Sequence, residues 1–547
     1  MPTVTLNRRA LEQLLGRKLP EEQLKERISM LGTDLEKVDR DEIVVEVFPN
    51  RPDLLSEQGF GRALAAFIGS APGLRRYEVK RSGWTTRIVK TLNHWPSAVT
   101  AVVRGLSLSD ERVREIIQLQ EKLGVTLLRN RTKGGLGVYP LDRIRMPVTF
   151  TTQAADEIRF RPLEFPSTLT GREILEKHPA GRKYGHLIAS EKEFPIFLDA
   201  AGTILSMPPI INSHETGKVT PATRDVFIEA TGPELGTLQV ALNIFVTALA
   251  DMGGAIYSMN VVYREKTLTT PDLKPTAMAF ELDDARRLLG IVLNEKQLAL
   301  LLGRMGYGLA GKRVLVPAYR ADVLHSADII EDLAIAYGYE NIPEEIPRVA
   351  TIAEEDALQR FLWLLGELLI GFGFLELQNY HLLSETEADS DAVALRNALG
   401  EHNILRKRLL PGLLKVLASN QHQEYPQQVY EAGAVFSRDA KAEHGIRERL
   451  QLGLLVCHEK ADVTSIRQVV DALERGLGLQ LTIQDGADEL LIPGRVGTVF
   501  AGKEQVGVFG EVHPAVLNRW KLAMPAAAAE LDVERLLGAV NKRLRKG

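Results

Sequence analysis

The sequence predicts a multidomain protein of mixed α/β and α+β class. A chain of 547 residues exceeds what one hydrophobic core supports, so about three to five domains are expected. Helix-period and strand-period apolar patterns alternate along the chain, and no internal repeat interrupts them. The composition, 45% hydrophobic and 25% charged, is that of an ordinary soluble globular protein. The single cysteine, Cys457, lies in an apolar run, which excludes a disulfide framework and predicts a core position.

The first two segments carry separate helix and strand signals. Residues 1–83 predict a small α/β module: an amphipathic helical stretch, a β run at 42–48, a proline-rich turn at 48–53 and a second helix. Residues 84–268 predict a larger α/β domain with a strand at 98–106 and helices at 110–124 and 235–253. The glycines of 134–137 are expected to form a flexible turn, because no helix of dinucleotide-binding type follows them.

Two further segments complete the chain. Residues 269–347 contain two short helical patterns and an acid-rich stretch, and residues 348–547 alternate strands and helices. The segment 306–313 nearly spells a phosphate-binding loop, but its order of helix, turn and strand favours a plain turn. The apolar stretch 361–377 is interrupted by Glu367 and glycines, so it predicts a helix followed by a strand and no membrane span. Without a secretory signal the expected location is cytoplasmic. The alanine run 526–529 is too short to predict anything.

Four acids lie close together in the third segment: Asp322, Asp328, Glu331 and Asp332. On a helix beginning near Ser326, the last three stand at i, i+3 and i+4 on one face. Two charges 4 Å apart repel by about 1 kcal/mol in water and about 4 kcal/mol at a partly buried surface, so the acids need counter-charge. Oxygen ligands suit magnesium or calcium. The same acids could instead complement the helix dipole beside Arg320, and their spacing alone does not decide between the two hypotheses.

The surrounding string carries a family resemblance. It contains V-P-x-x-R-x-D at 316–322, D-x-x-E-D at 328–332 and Y-G-Y-x-x-I-P at 337–343. This string resembles the magnesium-binding module of phenylalanyl-tRNA synthetase β subunits, and G-x-x-G-E-x-H-P at 507–514 resembles the same family. The resemblance covers essentially the whole chain, whose length is similar to that of the archaeal and eukaryotic type. It implies that all four acids bind one Mg²⁺ near the contact with an α subunit.

The resemblance also implies a role for each segment. The N-terminal module 1–83 would precede an editing domain at 84–268 and a small helical metal-binding module at 269–347. Residues 348–547 would form a class II synthetase-like antiparallel-sheet domain without catalysis. Residues 348–547 lack the G-x-G-x-x-R pattern with which class II synthetases hold ATP, so no cofactor-binding residue is expected in this chain. The cationic cluster Arg406, Lys407 and Arg408 is implied to be structural.

An editing site is needed because an apolar pocket rejects an added hydroxyl by only about a hundredfold. The resemblance implies that Gln120, Glu121, Arg131 and Asn212 hydrolyse mischarged Tyr-tRNA(Phe). It also puts Ser206 and Thr231 at pocket positions and Glu229 where aspartate is common. Judged from the residues alone, Gln120, Glu121 and Arg131 are more typical of a solvated surface than of a site. No nucleophile is paired with a base, which favours attack by water aided by the terminal hydroxyl of the tRNA.

The function implied is that of a β subunit in a heterotetramer of two α and two β chains. The α subunit would attach phenylalanine to tRNA(Phe) with ATP, and this chain would support and proofread that reaction. Two alternatives stay open: a free-standing editing hydrolase and an architectural RNA-binding protein. The net charge of −4 and pI near 6.3 give no overall preference for RNA.

Overall fold

Residues 2–349, 351–388, 391–398 and 400–544 are described by the structure, which is a computed structural model. The chain divides into two units, Met1–Ile346 and Pro347–Gly547, and each is considered by itself. The four-domain division drawn from the sequence stays a prediction. Within the described residues, no helix has the length and apolar character that crossing a membrane requires.

The N-terminal part of the first unit is an antiparallel three-stranded sheet in the order β1-β3-β2, flanked by three helices. Its elements are β1 (Thr3–Asn7), α1 (Arg8–Leu15), α2 (Glu21–Met30), β2 (Asp34–Val38), β3 (Glu42–Glu46) and α3 (Glu57–Phe67). Asn7 and Ser56 begin α1 and α3 by accepting a backbone N–H with their side chains. The helices and the β run match the α/β module predicted here, although β1 and β2 were not predicted.

A ten-stranded sheet forms the middle of the first unit. Nine of its strands follow the order β12-β11-β10-β7-β4-β14-β5-β13-β6, and β15 pairs with β14. The strands of this part, including the separate pair β8 and β9, are β4 (Val79–Ile88), β5 (Ser97–Arg104), β6 (Gly135–Pro140), β7 (Val148–Ala154), β8 (Arg159–Phe160), β9 (Leu169–Thr170), β10 (Glu193–Leu198), β11 (Ile204–Met207), β12 (Ile211–Asn212), β13 (Val226–Gly232), β14 (Ala255–Val262) and β15 (Thr267–Thr270). The boundary predicted between 83 and 84 falls inside β4.

Helices and a second apolar layer cover the two faces of this sheet. The helices are α4 (Asp110–Val125), α5 (Gly171–Lys177), α6 (Pro179–Tyr184), α7 (His214–Gly217) and α8 (Leu235–Asp251). Every residue of β13 is buried, and so is most of β5, because both faces of these strands are covered. Val99, Ala101 and Val103 of β5 pack with α8, whereas Ala98 and Val102 join the core on the other face.

The last part of the first unit combines a three-stranded antiparallel sheet, β16-β18-β17, with three helices. Its elements are β16 (Thr276–Ala279), α9 (Leu282–Leu289), α10 (Glu295–Arg304), β17 (Gly308–Ala310), β18 (Arg313–Val316) and α11 (Ser326–Tyr337). The glycines Gly306 and Gly311 lie in turns with positive φ, 76° and 59°, on either side of β17. The prediction that this near-match to a phosphate-binding loop is a turn is confirmed.

The second unit is built on a seven-stranded sheet in the order β19-β23-β24-β28-β27-β26-β25, antiparallel except for β19 and β23, with a smaller sheet β20-β22-β21. Its elements are α12 (Ala357–Gly371), β19 (Leu375–Glu376), β20 (Leu382–Leu383), β21 (Val393–Ala394), β22 (Ile404–Leu405), α13 (Leu410–Ser419), β23 (Gln427–Arg438), β24 (Ile446–Cys457), α14 (Val463–Leu477), β25 (Leu481–Asp485), β26 (Leu491–Ala501), β27 (Glu504–Val512), α15 (Pro514–Arg519), β28 (Ala526–Asp532) and α16 (Val533–Leu544).

Two apolar layers enclose the large sheet of the second unit. One contains residues of α12, α14 and α16, and the other contains residues of α13. The alanines of 526–529 alternate between the two layers at the centre of the sheet, so the run judged uninformative in the sequence is a buried central strand. Cys457 is buried at the end of β24, which confirms the prediction of a core position. The helix-to-strand transition predicted at 361–377 is also present, as α12 and β19.

Candidate functional site

The two ends of the ten-stranded sheet meet, and a cavity lies where they meet. Asn212 of β12, at one end of the strand order, donates its Nδ2 to the backbone oxygen of Val138 in β6, at the other end, over 3.4 Å. Tyr139 of β6 contacts Asn212 in return, with 3.1 Å between Oη and Oδ1. The cavity between these strands and α4 has a volume of about 270 Å³.

The cavity gathers six of the seven residues to which the sequence assigned editing or pocket positions. They are Gln120, Glu121, Arg131, Ser206, Asn212 and Glu229. Thr231 is fully buried two residues beyond Glu229 and does not line the cavity. Residues separated by more than a hundred positions therefore share one small concave site. Residues that were merely solvated would have no reason to come together in this way.

Arg131 is fixed in place by the backbone around it. Its Nη1 donates to the carbonyl oxygens of Pro209 and Ile210, 2.8 Å from each, and its guanidinium lies 4.2 Å from the ring centre of Tyr184. Burial lowers the pKa of Arg131. The residue has a positive φ of 64°, a backbone conformation that is uncommon outside glycine. Arg131 therefore acts on the shape of the cavity wall rather than as a free cation.

The helix α4 supplies the opposite side of the site. Gln120 donates its Nε2 to the backbone oxygen of Leu136, 2.6 Å away, which holds the helix against β6. Glu121 is the next residue, exposed at the edge of the cavity. The side-chain oxygen of Gln120 and the carboxylate of Glu121 are thus available to a molecule that enters.

The floor of the cavity is a buried chain of hydrogen bonds. Tyr139 Oη lies 3.0 Å from Glu229 Oε1 as well as near Asn212, yet a phenol has one proton to donate. The amide nitrogen of Asn212 faces Val138, so its oxygen must accept from Tyr139. Burial raises the pKa of Glu229 to about 8, so this carboxyl holds a proton at neutral pH and can donate to Tyr139. Glu229 Oε2 is buried without a partner.

Glycines make room for this floor, and here the sequence prediction is wrong. Residues 135–137 are buried in β6, whereas a flexible turn was expected over 134–137. A Cβ atom on Gly137 would lie 2.4 Å from Tyr139 Oη and 2.5 Å from Glu229 Oε1, and one on Gly135 would lie 3.1 Å from Pro209 Cβ. Lack of a side chain is therefore required by close packing at the floor, not by a turn.

Tyr139 is the site residue that sequence reasoning missed. Its signal was the alternation of small and larger residues in Gly135–Pro140, which is typical of a strand that another group approaches closely. The strand period puts Gly135, Gly137 and Tyr139 on one face. Reading the glycines as a turn concealed that face.

The four acids near residue 330 do not converge on one point. Arg320 binds Asp322 through two nitrogen–oxygen contacts of 2.7 Å and also lies 2.7 Å from Asp332 Oδ2. Asp332 accepts in addition from the hydroxyl of Tyr307 at 2.5 Å. Two of the acids are thus already paired with the same buried arginine, whose single charge offsets only one of them.

The other two acids point elsewhere. Asp328 Oδ2 accepts the backbone N–H groups of Leu324 and His325, 2.7 Å from each, and so begins helix α11. Glu331 is exposed. A cluster of possible metal ligands does occur in the described part of the chain, but on another sheet. It consists of Asp34, Glu36 and Glu46, whose ligand atoms lie within 4.8 Å of one another. An ion shared by all four acids does not fit this arrangement, and their role as metal ligands stays a prediction.

The cationic cluster of the second unit is engaged inside the unit. Arg406 pairs with buried Glu431 at 2.5 Å, and Arg408 pairs with Glu530 at 2.6 Å and with Asp488 at 2.9 Å. The carboxylate of Glu530 also accepts the backbone N–H groups that begin α13. These arginines hold the sheet to its loops, as the structural interpretation of the cluster expects.

Comparison with known proteins gives the class of the chain. Three sequence profiles match: a Phe-tRNA synthetase beta subunit B1 domain at residues 1–70, a tRNA synthetase B5 domain at 278–339 and a phenylalanyl tRNA synthetase beta chain CLM domain at 342–533. Together they place the chain among the subunits of aminoacyl-tRNA synthetases.

Full-length relatives narrow this class. The phenylalanine–tRNA ligase beta subunit of Pyrococcus horikoshii is 35% identical over 98% of this chain and all of its own length, and that of Archaeoglobus fulgidus is 37% identical over 97% and 98%. The crystal structure of an N-terminal fragment of the phenylalanyl-tRNA synthetase beta subunit from Pyrococcus horikoshii is 38% identical, with a TM-score of 0.59, and covers 62% of this chain. The chain belongs to the phenylalanyl-tRNA synthetase β-subunit family, and the predicted enzyme class, a phenylalanine–tRNA ligase β subunit, is confirmed.

Proposed function

We propose that this chain proofreads as well as supports the attachment of phenylalanine to tRNA(Phe), hydrolysing Tyr-tRNA(Phe) in the cavity at the ends of the ten-stranded sheet. The observation that carries the proposal is the unpartnered Oε2 of Glu229 beside the hydrogen-bonded Tyr139 and Asn212. A buried polar atom without a partner costs about 1–3 kcal/mol, which an entering hydroxyl would recover.

This floor favours tyrosine over phenylalanine. The hydroxyl of a tyrosyl group can bond to Glu229 Oε2, whereas a phenyl group would leave that oxygen buried and unpaired. Sites built to bind a hydroxyl reject the analogue that lacks it by about 10⁴–10⁵. The volume of about 270 Å³ is close to the lower end of small-molecule pockets, roughly 300–1,000 Å³, and suits one amino-acid side chain.

The chemistry we propose is attack by water on the ester at the tRNA 3′ end. The described residues that line the cavity include neither histidine nor cysteine, and the hydroxyl of Ser206 has no base beside it. Gln120 and Glu121 stand at the edge, where they can orient a water molecule and the 3′ end. The terminal hydroxyl of the tRNA would assist proton transfer, because no side chain is arranged to do so.

The test is hydrolysis of Tyr-tRNA(Phe) by enzyme reconstituted with the α subunit. Glu229→Ala and Asn212→Ala should slow hydrolysis at least tenfold and leave charging with phenylalanine unchanged. Glu157→Ala, at an exposed position of the same unit, is the matched control. Wild-type hydrolysis in both site variants would refute the proposal and leave an architectural role.

The α subunit is the partner we propose, in a cytoplasmic heterotetramer of two α and two β chains. Helix α12 supports this assembly, because its buried face is Phe361, Leu365 and Leu369 while Trp363 and Ile370 on the other side are 64% and 61% exposed. Exposed apolar residues one heptad apart mark a protein contact rather than a solvated face. This surface favours a partnered subunit over a free-standing hydrolase.

Magnesium enters the proposal through the assembled enzyme. The four acids do not form one ligand set in this chain alone, since Arg320 occupies Asp322 and Asp332. A Mg²⁺ ion held by Asp322, Asp328, Glu331 and Asp332 would therefore require a rearrangement around Arg320. Contact with the α subunit is where we propose that this occurs.

A further inference from the structure

A large cavity of the first unit is separate from the proposed editing site. It has a volume of about 840 Å³ and adjoins a second cavity of about 520 Å³. The two share Leu74, Arg75, Arg76, Pro317 and Tyr319, so they adjoin at a common wall, and together they are called the 74–83 groove below. The 74–83 groove and the editing cavity have no lining residue in common.

The groove is positively charged in a chain whose net charge is −4. Arg75, Arg76, Arg81 and Lys274 line its larger part and are exposed, against one carboxylate, Asp272. Asp272 accepts the backbone N–H of Lys274, so its carboxylate is used in a turn. These four cations are therefore not offset by the acids that dominate elsewhere.

These cations have few ion-pair partners within the protein. Among the described residues, Arg76, Arg81 and Lys274 have no ion pair, and Arg75 has a single long contact of 3.9 Å to Asp251. Asp251 is already paired with Arg62 at 2.5 Å and accepts from the hydroxyl of Tyr77. Unpaired guanidinium groups side by side repel one another, which an anionic ligand would relieve.

The walls of the groove are held rigidly. Asn243, 5% exposed, donates its Nδ2 to the backbone oxygens of Asp272 and Ala318, at 2.9 and 3.1 Å, and so joins two of the lining loops to helix α8. The guanidinium of Arg62 lies 4.0 Å from the ring centre of Tyr319. Because these loops are ordered by the protein itself, a ligand would not have to order them on binding.

We propose that the 74–83 groove binds the sugar-phosphate backbone of RNA. Arg76 and Arg81 are five residues apart, and a fully extended chain of that length reaches up to about 17 Å, which is enough to contact more than one backbone phosphate. The cations come from a strand and two loops, and a ligand that contacts all of them has to extend along the groove, which suits a polymer better than a small anion. Three of the four are arginines, whose planar guanidinium binds a phosphate through two hydrogen bonds.

The inference rests on the proposed function in one respect only, namely that the RNA bound by the groove is a tRNA. The experiment measures binding of uncharged tRNA(Phe) to the reconstituted enzyme by fluorescence anisotropy at several salt concentrations. The triple variant Arg76→Ala, Arg81→Ala and Lys274→Ala should bind at least tenfold more weakly. The slope of log affinity against log salt should fall by about 2–3, because each lost phosphate contact removes roughly 0.7–0.9.

A matched triple variant serves as the control, because it changes the net charge by the same amount as the groove variant. Arg143→Ala, Lys460→Ala and Lys503→Ala remove three exposed cations that do not line the groove and should leave the slope unchanged. Hydrolysis of Tyr-tRNA(Phe) by the groove variant should show a raised KM with an unchanged kcat. This result separates the groove from the editing cavity, whose variants lower kcat.

Two outcomes would overturn the proposal. In the first, the groove variant and the control variant bind tRNA equally with equal salt slopes. In the second, the groove variant retains tRNA binding but loses assembly with the α subunit, which would make the groove a protein-docking surface. Failure of the editing proposal would leave the binding result intact, because uncharged tRNA carries no ester to hydrolyse.

Discussion

At the residue scale, the hydroxyl of Tyr139 joins two side chains that come from opposite ends of one sheet. It accepts from protonated Glu229 and donates to Asn212, so a single phenol fixes both the orientation of the amide and the position of the carboxyl. The remaining oxygen of Glu229, a residue that lines the cavity, is then left buried without a partner. The choice between a tyrosyl and a phenylalanyl group would depend on this one oxygen.

Replacing Tyr139 with phenylalanine should therefore impair editing without unfolding the chain. The change removes the central hydroxyl and leaves Asn212 Oδ1 without a donor, an expected cost of about 1–3 kcal/mol. Hydrolysis of Tyr-tRNA(Phe) should slow roughly tenfold to a hundredfold, while charging with phenylalanine is unaffected. Tyr257→Phe is the control, since the Tyr257 hydroxyl has no hydrogen-bond partner among the described residues. Equal hydrolysis by wild type and Tyr139→Phe would contradict the assigned role.

Glu229 should make the stability of the first unit depend on pH. Its pKa is about 8 in the folded chain against 4.5 for an ordinary glutamate, because burial penalises the charged form. A raised pKa contributes stability that is complete below about pH 4.5 and is lost as pH rises through 8. Urea midpoints should fall between pH 6 and pH 9 for wild type and fall less for Glu229→Gln. An identical fall in the two proteins would show that Glu229 is not the titrating group.

Among the sequence-based predictions, only the family resemblance named particular side chains of the candidate site. Gln120, Glu121, Arg131 and Asn212 are brought to one cavity, although their roles in hydrolysis stay predictions. Physical reasoning on single residues could not find this site, because polar residues on a helix or loop carry no mark of what lies opposite. Tyr139 contacts Asn212 and Gly137 lies against Glu229, and both partners are more than 70 positions away along the chain. The periodicity within one strand cannot predict such contacts.

At the element scale, the strand β28 shows how much a short alanine run can specify. Its alanines lie between β24 and β27 with helices on one face and α13 on the other, so small side chains set the distance between the layers. Helix and strand signals were readable elsewhere because they span a full helical turn or several alternations. Four identical residues have no periodicity, and their meaning depends on what packs above and below.

Enlarging a side chain in β28 should therefore destabilise the second unit. Ala527→Leu inserts three carbons at a fully buried position between two layers, and overpacking of this kind costs about 1–3 kcal/mol. Ala523→Leu, at an exposed position of the preceding loop, should cost less than about 0.5 kcal/mol. Urea unfolding of the two variants and wild type provides the comparison. Equal stability of Ala527→Leu and wild type would show that the layers are not closely packed there.

The acids around helix α11 lead to different predictions about Mg²⁺ for the isolated chain and for the assembled enzyme. Chelation should leave the melting temperature of the isolated chain unchanged, because Arg320 already pairs with Asp322 and Asp332. The assembled enzyme should be stabilised by Mg²⁺, by roughly 2.7 kcal/mol when the free ion is at a hundred times its Kd. Glu331→Ala should abolish that stabilisation. If neither chelator nor Mg²⁺ changes the melting temperature of the assembled enzyme, the metal prediction is wrong. The four acids would then serve only to cap helix α11 and to pair with Arg320.

At the scale of the whole molecule, each unit has its own core and a different kind of surface. The first unit carries the polar cavity and the cationic groove, and the second carries exposed apolar residues on α12. Sequence patterns predicted mixed α/β and α+β folding throughout. They could not assign β4 correctly, because this strand follows the N-terminal module in sequence but pairs with β14 and β7, whose residues come later.

Assembly with the α subunit should depend on the exposed side of α12. Trp363→Lys and Ile370→Lys place charges on a surface that we propose is buried in the complex, so co-purification with the α subunit should fall sharply. Gln359→Lys, at an exposed polar position on the same helix, should assemble normally. The isolated variants should melt as wild type does, since neither side chain is part of the core. Normal assembly of both lysine variants would remove α12 from the contact.

The meeting of the two ends of the large sheet has a consequence for the order of folding. Asn212 and Tyr139 come from β12 and β6, so the cavity exists only after all nine strands of that order have paired in register. Contacts between distant parts of a chain form slowly, because the entropy of closing the loop is lost before the contact is gained. Partly folded chains would therefore possess helices and local hairpins but no cavity, and the proofreading that we propose for this cavity would begin only once the seam is complete.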